Sequence, residues 1–124
     1  MTIHESAEDY LEAILRLQLE KGYARSVDVA MLLNVSKPSV SVAMKRLRED
    51  GYIIMDDDHL LELTEKGRSI AEPIYERHTT LASFFSGLGV DEEIARQDAC
   101  KIEHDLSEET YQAIKRMIQK NRQK

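Results

Sequence analysis

Cys100, Glu103 and His104, in the stretch DACKIEH, place three metal donors of different softness within five residues. If that stretch is helical, the i, i+3, i+4 spacing puts all three on one face. Ile94, Ala95, Ala99, Ile102 and Leu106 then take the other side. A thiolate, a carboxylate and an imidazole converging from one face suit a divalent transition metal. Three donors on one helix cannot complete an octahedron, so others must come from elsewhere. EDYLEAILRL near the N-terminus offers Asp9 and Glu12, also at i, i+3, and ERH offers His78. Each residue has an ordinary reading too: Cys100 as a small buried hydrophobe, Asp9 and Glu12 as a solvated face, His78 as a surface or capped histidine. A small metal hydrolase could use the same donors. It would need a general base beside a pocket, and no nucleophile motif accompanies them here.

Several helices must carry these groups. Residues 6–21 form the first, with Ser6 as its cap and Gly22 as its stop. Ala7, Tyr10, Leu11, Ile14, Leu17 and Gln18 share one face, and Asp9, Glu12 and Arg16 lie opposite. Ser26 caps a short second helix that ends at the Asn34-Val35 turn. Ser36 caps a third, with Pro38 in its first turn and Gly51 after its end. Tyr52–Met55 and Leu60–Leu63 read as two strands around the turn Asp56-Asp57-Asp58. Thr64 caps the next helix, which Pro73 should kink or split. Its later part carries the stripe Leu81, Phe84, Phe85 and Leu88. Asp91 caps a helix to about Asp105, and Ser107 caps the last, striped by Tyr111, Ile114, Met117 and Ile118.

Helix, turn, helix and two-stranded ribbon make a winged helix-turn-helix, and the helix from Lys37 to Asp50 would enter a DNA major groove. Val40, Ala43, Met44 and Leu47 form its apolar stripe. Ser36, Lys37, Ser39, Ser41, Lys45, Arg46 and Arg48 are left for DNA. Residues 36–50 hold four basic and two acidic side chains, a local +2 on a chain of net charge −6. Small hydroxyls at the helix start can bond phosphates or base edges, and the three later cations suit phosphates. The acidic wing tip would repel phosphate, and His59 reads as a solvated turn residue. The same three-helix core could instead dock proteins.

Composition narrows the classes. With 42% hydrophobic and 32% charged residues, the chain is ordinary for a soluble domain. Its apolar runs are too short for a membrane span, and MTIHESAEDY lacks the order of a signal peptide. A single cysteine excludes an internal disulfide. The chain therefore reads as cytoplasmic. Two prolines and five glycines leave little loop, so a mainly α fold is expected.

The order EDYLEAILRL, winged helix, ERH, ACKIEHDLS resembles the diphtheria-toxin-repressor family of metal-dependent transcription factors, and most of all its manganese-transport-regulator branch. The resemblance implies a winged helix-turn-helix over 1–70 and a helical metal-binding and dimerisation domain over 71–124. It implies corepression by iron(II) or manganese(II), with up to two ions per subunit. Asp9, Glu12, His78, Cys100, Glu103 and His104 fall on the family's ligand positions. Asp9, Cys100, Glu103 and His104 would hold one ion; Glu12 and His78 would hold a second, with Glu103 bridging. The partners implied are a duplex DNA operator and a second copy of the chain, with no membrane and no small-molecule substrate.

This chain is a hybrid within that family. The manganese branch usually has glutamate at the position of Cys100. The iron branch has that cysteine but a methionine at the position of Asp9. The iron branch's ancillary site needs a carboxylate and a histidine that are here Ala82 and Arg96. Val42 stands where the iron branch often has a polar base reader, so a different operator is expected. A homodimer is also expected because Phe84, Phe85, Leu88, Tyr111, Ile114 and Ile118 exceed what so short a half can bury alone. The expected switch is mechanical: metal fixes the spacing of two recognition helices, and so raises affinity for matched half-sites. A metal-independent winged-helix regulator is the alternative.

Overall fold

The structure, a computed structural model, describes the backbone of residues 5–122 and the side chains of 7–121. Among the described residues the order is α1 (Glu5–Lys21), α2 (Ser26–Leu33), α3 (Lys37–Glu49), β1 (Ile53–Met55), β2 (Leu61–Leu63), α4 (Glu65–Gly87), α5 (Glu92–Ile102) and α6 (Glu108–Arg122). The fold is mainly helical, as expected, with a two-stranded wing. Two compact units, Met1–Tyr75 and Glu76–Lys124, divide inside α4.

In the first unit α1 packs on α2, α3 and β2. Leu11, Ile14 and Leu17 are buried as their spacing predicts, but so are Ala13 and Leu15, because neighbours cover α1 on more than one side. Glu5 starts this helix, so Ser6 lies within the first turn and its side chain falls outside the described residues. Ser26 is likewise not a cap. Arg25 holds that place in extended conformation with no side-chain bond, and Ser26 is the first helical residue. Asn34 closes α2 in the left-handed region at φ 55°. Ser36 does cap α3, its hydroxyl accepting from the Ser39 N–H, with Pro38 in the first turn.

The strands pair antiparallel, Ile53 opposite Leu63 and Met55 opposite Leu61. Ile53, Leu61 and Leu63 point into the core and Ile54 points out, as period-two alternation requires. The Leu61 N–H also bonds the Ala24 carbonyl, which ties the wing to the segment between α1 and α2. Thr64 bridges wing and helix: its hydroxyl donates to the Gly51 carbonyl at 2.6 Å and accepts from the Gly67 N–H at 3.2 Å. Gly67 is required there, since a Cβ would run into the Tyr52 carbonyl oxygen.

Pro73 does not split α4, which runs as one helix through it. Proline forfeits its own N–H bond to the Ser69 carbonyl. Both residues are exposed, so water can take that carbonyl's bond, while Ala71, half a turn from each, is fully buried on the opposite face. In the second unit Leu81, Ala95, Ala99 and Tyr111 are buried. Asp91 caps α5 by accepting from Glu93 and Ile94 N–H groups, and the Ser107 hydroxyl accepts from Thr110. Two expected stripe residues face out instead: Ile94 is 50% exposed and Met117 51%.

Candidate metal centre and DNA interface

Helix α5 stops sooner than its sequence pattern implies. It ends at Ile102 rather than near Asp105, so Cys100, Glu103 and His104 are not three residues of one helix. Cys100 is half-buried on the last turn. Glu103 keeps helical dihedrals as the C-cap, and its N–H bonds the Ala99 carbonyl at 3.0 Å. His104 sits in the turn that follows. The i, i+3 part of the spacing survives on the helix and its cap, and His104 lies beyond both.

The turn is fastened by a residue the spacing argument passes over. One guanidinium nitrogen of Arg77 donates to the carbonyls of Glu103 and Leu106, at 2.6 and 2.9 Å. The other pairs with Glu108 at 3.1 Å, and the guanidinium lies over the Tyr111 ring. Glu103 is the C-cap of α5, where carbonyls lack intrahelical partners, and Leu106 lies in the connection to α6. The only sequence signal was the position of Arg77 beside His78.

Glu103 therefore comes to lie between two imidazoles. Its Oε2 is 3.4 Å from His78 Nδ1, and its Oε1 is 3.4 Å from His104 Nε2. Glu103 is 2% exposed and His78 4%. Neither Glu103 oxygen nor His78 Nδ1 has a hydrogen-bond partner among the described residues. A carboxylate this deeply buried is costly unless a cation or donors satisfy it. Nitrogen and oxygen donors left unspent in one place are what a divalent cation needs, so these residues fit a metal.

On α1, Asp9 is half-buried and Glu12, one turn on, is only 3% exposed. The solvated-face reading therefore fails for Glu12. Ala82 and Arg96 line an open recess with Ser83, Ser86 and Glu92, and Arg96 pairs with Glu93 at 3.4 Å. A guanidinium there adds positive charge and no metal donor.

The outer face of α3 follows its sequence pattern. Val40, Met44 and Leu47 are each 1% exposed. Ser36, Lys37, Ser39, Ser41, Lys45, Arg46 and Arg48 are all exposed. The Asp56 carboxylate at the wing tip accepts from the Asp58 and Leu60 N–H groups, at 2.8 and 3.0 Å, so one of the three acidic residues builds the turn. His59 is exposed at φ 63°, as a solvated turn residue should be.

A winged-helix unit with a basic recognition helix, followed by a helical unit holding a buried carboxylate between two imidazoles, defines the class of metal-dependent DNA-binding regulators. Residues 2–60 match the N-terminal DNA binding domain of iron dependent repressors, and residues 64–124 match their metal binding and dimerisation domain. The chain belongs to the iron-dependent repressor family. It is 43% identical to the transcriptional regulator MntR of Escherichia coli O6:H1 (strain CFT073) over 117 residues, which is 94% of this chain and 76% of that protein. IdeR of T. acidophilum matches with a TM-score of 0.79 at 28% identity, over 95% of this chain and 55% of its own. A manganese-dependent transcriptional repressor in complex with manganese matches with a TM-score of 0.75 at 27% identity, over 87% of this chain and 50% of its own. The chain thus spans about half the length of those solved structures.

Proposed function

We propose that this chain is a cytoplasmic repressor of metal-uptake genes, which binds a duplex DNA operator as a homodimer when loaded with iron(II) or manganese(II). The observation that carries it is the buried Glu103 carboxylate, flanked by His78 and His104 and otherwise unsatisfied. The proposed ligand set is Asp9, Glu12, His78, Cys100, Glu103 and His104, and within the second unit His78 and His104 each lie 3.4 Å from a Glu103 oxygen. Cys100, half-buried on the last turn of α5, is proposed as the softest of these donors. Glu103 offers one carboxylate oxygen to each imidazole, which supports up to two ions per subunit.

A bound divalent cation supplies two positive charges and directional bonds at the carboxylates. The work of the protein is to hold the donors. Arg77 fixes the turn bearing Glu103 and His104, α4 presents His78, and α1 presents Asp9 and Glu12. Because α1 also forms the core beneath α3, ordering its acidic residues orders the recognition helix. Two such helices in a dimer must match half-sites about 34 Å apart, or a multiple of that. Metal loading thus acts by preorganisation, and charge neutralisation near DNA adds a smaller effect because salt screens it within about 8 Å.

Ser36, Lys37, Ser39, Ser41, Lys45, Arg46 and Arg48 are the proposed DNA contacts. Half-buried Phe84 and Phe85, with Leu88 at 67% exposure, are the proposed dimer face; Tyr111, 4% exposed, belongs to the core. No small-molecule substrate and no catalysis are assigned. Among the described residues no helix is long and apolar enough to cross a membrane. The deciding experiment is a mobility shift on duplexes enriched from a random pool, in chelator and in manganese(II) or iron(II), with sedimentation to give the oligomeric state. Retardation only with metal, by a dimer, is expected. Equal affinity in chelator and metal would overturn the switch.

A further inference from the structure

Val42 is 57% exposed on the recognition helix. At about 100° per residue it lies about 160° from Val40, so it sits near the middle of the outward face. Exposed Ser39 and Ser41 stand to either side, and exposed Lys45 and Arg46 follow on the next turn. An apolar side chain is out of place at the centre of this polar face. The core does not use it, since Val40, Met44 and Leu47 fill that role. Helix stability does not explain it either, because β-branched residues are among the weaker helix formers.

Its chemistry is narrow. An isopropyl group neither donates nor accepts a hydrogen bond. The major groove offers it one apolar partner, the C5-methyl group of thymine. In a helix valine is held almost entirely in one χ1 rotamer, so little side-chain freedom remains to be lost on contact. We propose, on the DNA-binding reading above, that Val42 is a specificity-determining residue that packs on the C5-methyl of one thymine in each half-site. Ser39 and Ser41 flank that contact and bond the neighbouring phosphates or base edges.

The test uses the manganese-loaded full chain and a duplex enriched from a random pool. Each thymine is replaced singly by deoxyuracil, which removes the methyl and keeps the base pair. One thymine per half-site should cost roughly three- to tenfold in affinity. Val42→Ser should bind the thymine and uracil duplexes equally, with an unchanged salt slope. Its helix propensity is close to that of valine, so folding is not at issue. Placing 5-methylcytosine rather than cytosine at the sensitive position should restore part of the binding to wild type and none to Val42→Ser. A flat uracil scan, or the same scan in both proteins, overturns the assignment of Val42 and leaves DNA binding standing. If no duplex is enriched with metal present, the DNA-binding reading falls and takes this assignment with it.

Discussion

Arg77 donates to the main-chain carbonyl of Glu103 at 2.6 Å, so the residue before His78 holds the turn that brings Glu103 to His78. Position and fastening of the buried carboxylate are thus coupled within one turn of α4. Arg77→Met removes two carbonyl bonds and the Glu108 pair. It should destabilise the second unit by roughly 1–3 kcal/mol and weaken manganese binding about tenfold or more. Arg77→Lys should recover only part, since an ammonium lacks the forked geometry. Calorimetric manganese titration, with circular dichroism to confirm folding, measures both effects. Unchanged affinity in folded Arg77→Met would show that the turn holds itself.

DNA affinity should fall steeply with salt. Lys45, Arg46 and Arg48 are exposed on α3, and if each releases counterions in both halves of a dimer, log K against log salt should slope at about −5. Removing one of the three cations should reduce that slope by about 2 per dimer and weaken all sequences alike. A cation whose loss leaves the slope unchanged does not face phosphate.

Metal preference should turn on Cys100. As a ligand its thiolate would be softer than a carboxylate and would favour iron(II) over manganese(II), while the proposed ligands Asp9 and Glu12 would add hard oxygens that keep manganese usable. Cys100→Glu should shift the iron-to-manganese activation ratio toward manganese by about 5- to 30-fold, equivalent to ~1–2 kcal/mol. Cys100→Ala should weaken both metals. The same ratio in wild type and Cys100→Glu would return Cys100 to the role of a small packing residue.

The second unit should be most stable on a broad pH plateau. Lys115 Nζ donates to Glu76 Oε1 at 2.7 Å, and the Tyr111 hydroxyl lies 3.4 Å from the same oxygen. The Lys115 hydrogen bond holds the Glu76 carboxyl below its usual 4.5, and Glu76 raises Lys115 above its usual 10.5. A lowered carboxyl contributes fully above 4.5 and is lost as pH falls through its folded value; a raised amine contributes fully below 10.5 and is lost as pH rises through its own. Glu76→Gln should therefore lower the melting temperature slightly across that plateau and not at all once acid has protonated Glu76. Both side chains are partly exposed, so high salt should shrink the difference. A gap that persists in strong acid would assign the effect to packing.

Much of the fold is legible from local chemistry. Ser36, Thr64, Asp91 and Ser107 cap where their side chains can satisfy the first N–H groups of a helix, and the α3 stripe buries the residues its period dictates. The exceptions share a cause. Ser26 is not a cap because Arg25 already takes the extended flanking place, and Pro73 is tolerated because its lost bond faces water. In both cases the outcome depends on what surrounds the residue, which spacing does not encode.

The candidate site divides the same way. Its donor types, and the placing of Asp9 and Glu12 a turn apart, follow from helical periodicity alone. Tertiary structure decided three further things: the end of α5 at Ile102, the burial of Glu12, and the seating of Glu103 between His78 and His104. The early helix end is stabilised by Arg77, a residue 26 positions away in sequence from Glu103. Periodicity describes one helix at a time, whereas burial and long-range hydrogen bonds depend on which elements meet. That is why the sequence could name candidate donors but not the turn that carries Glu103 and His104.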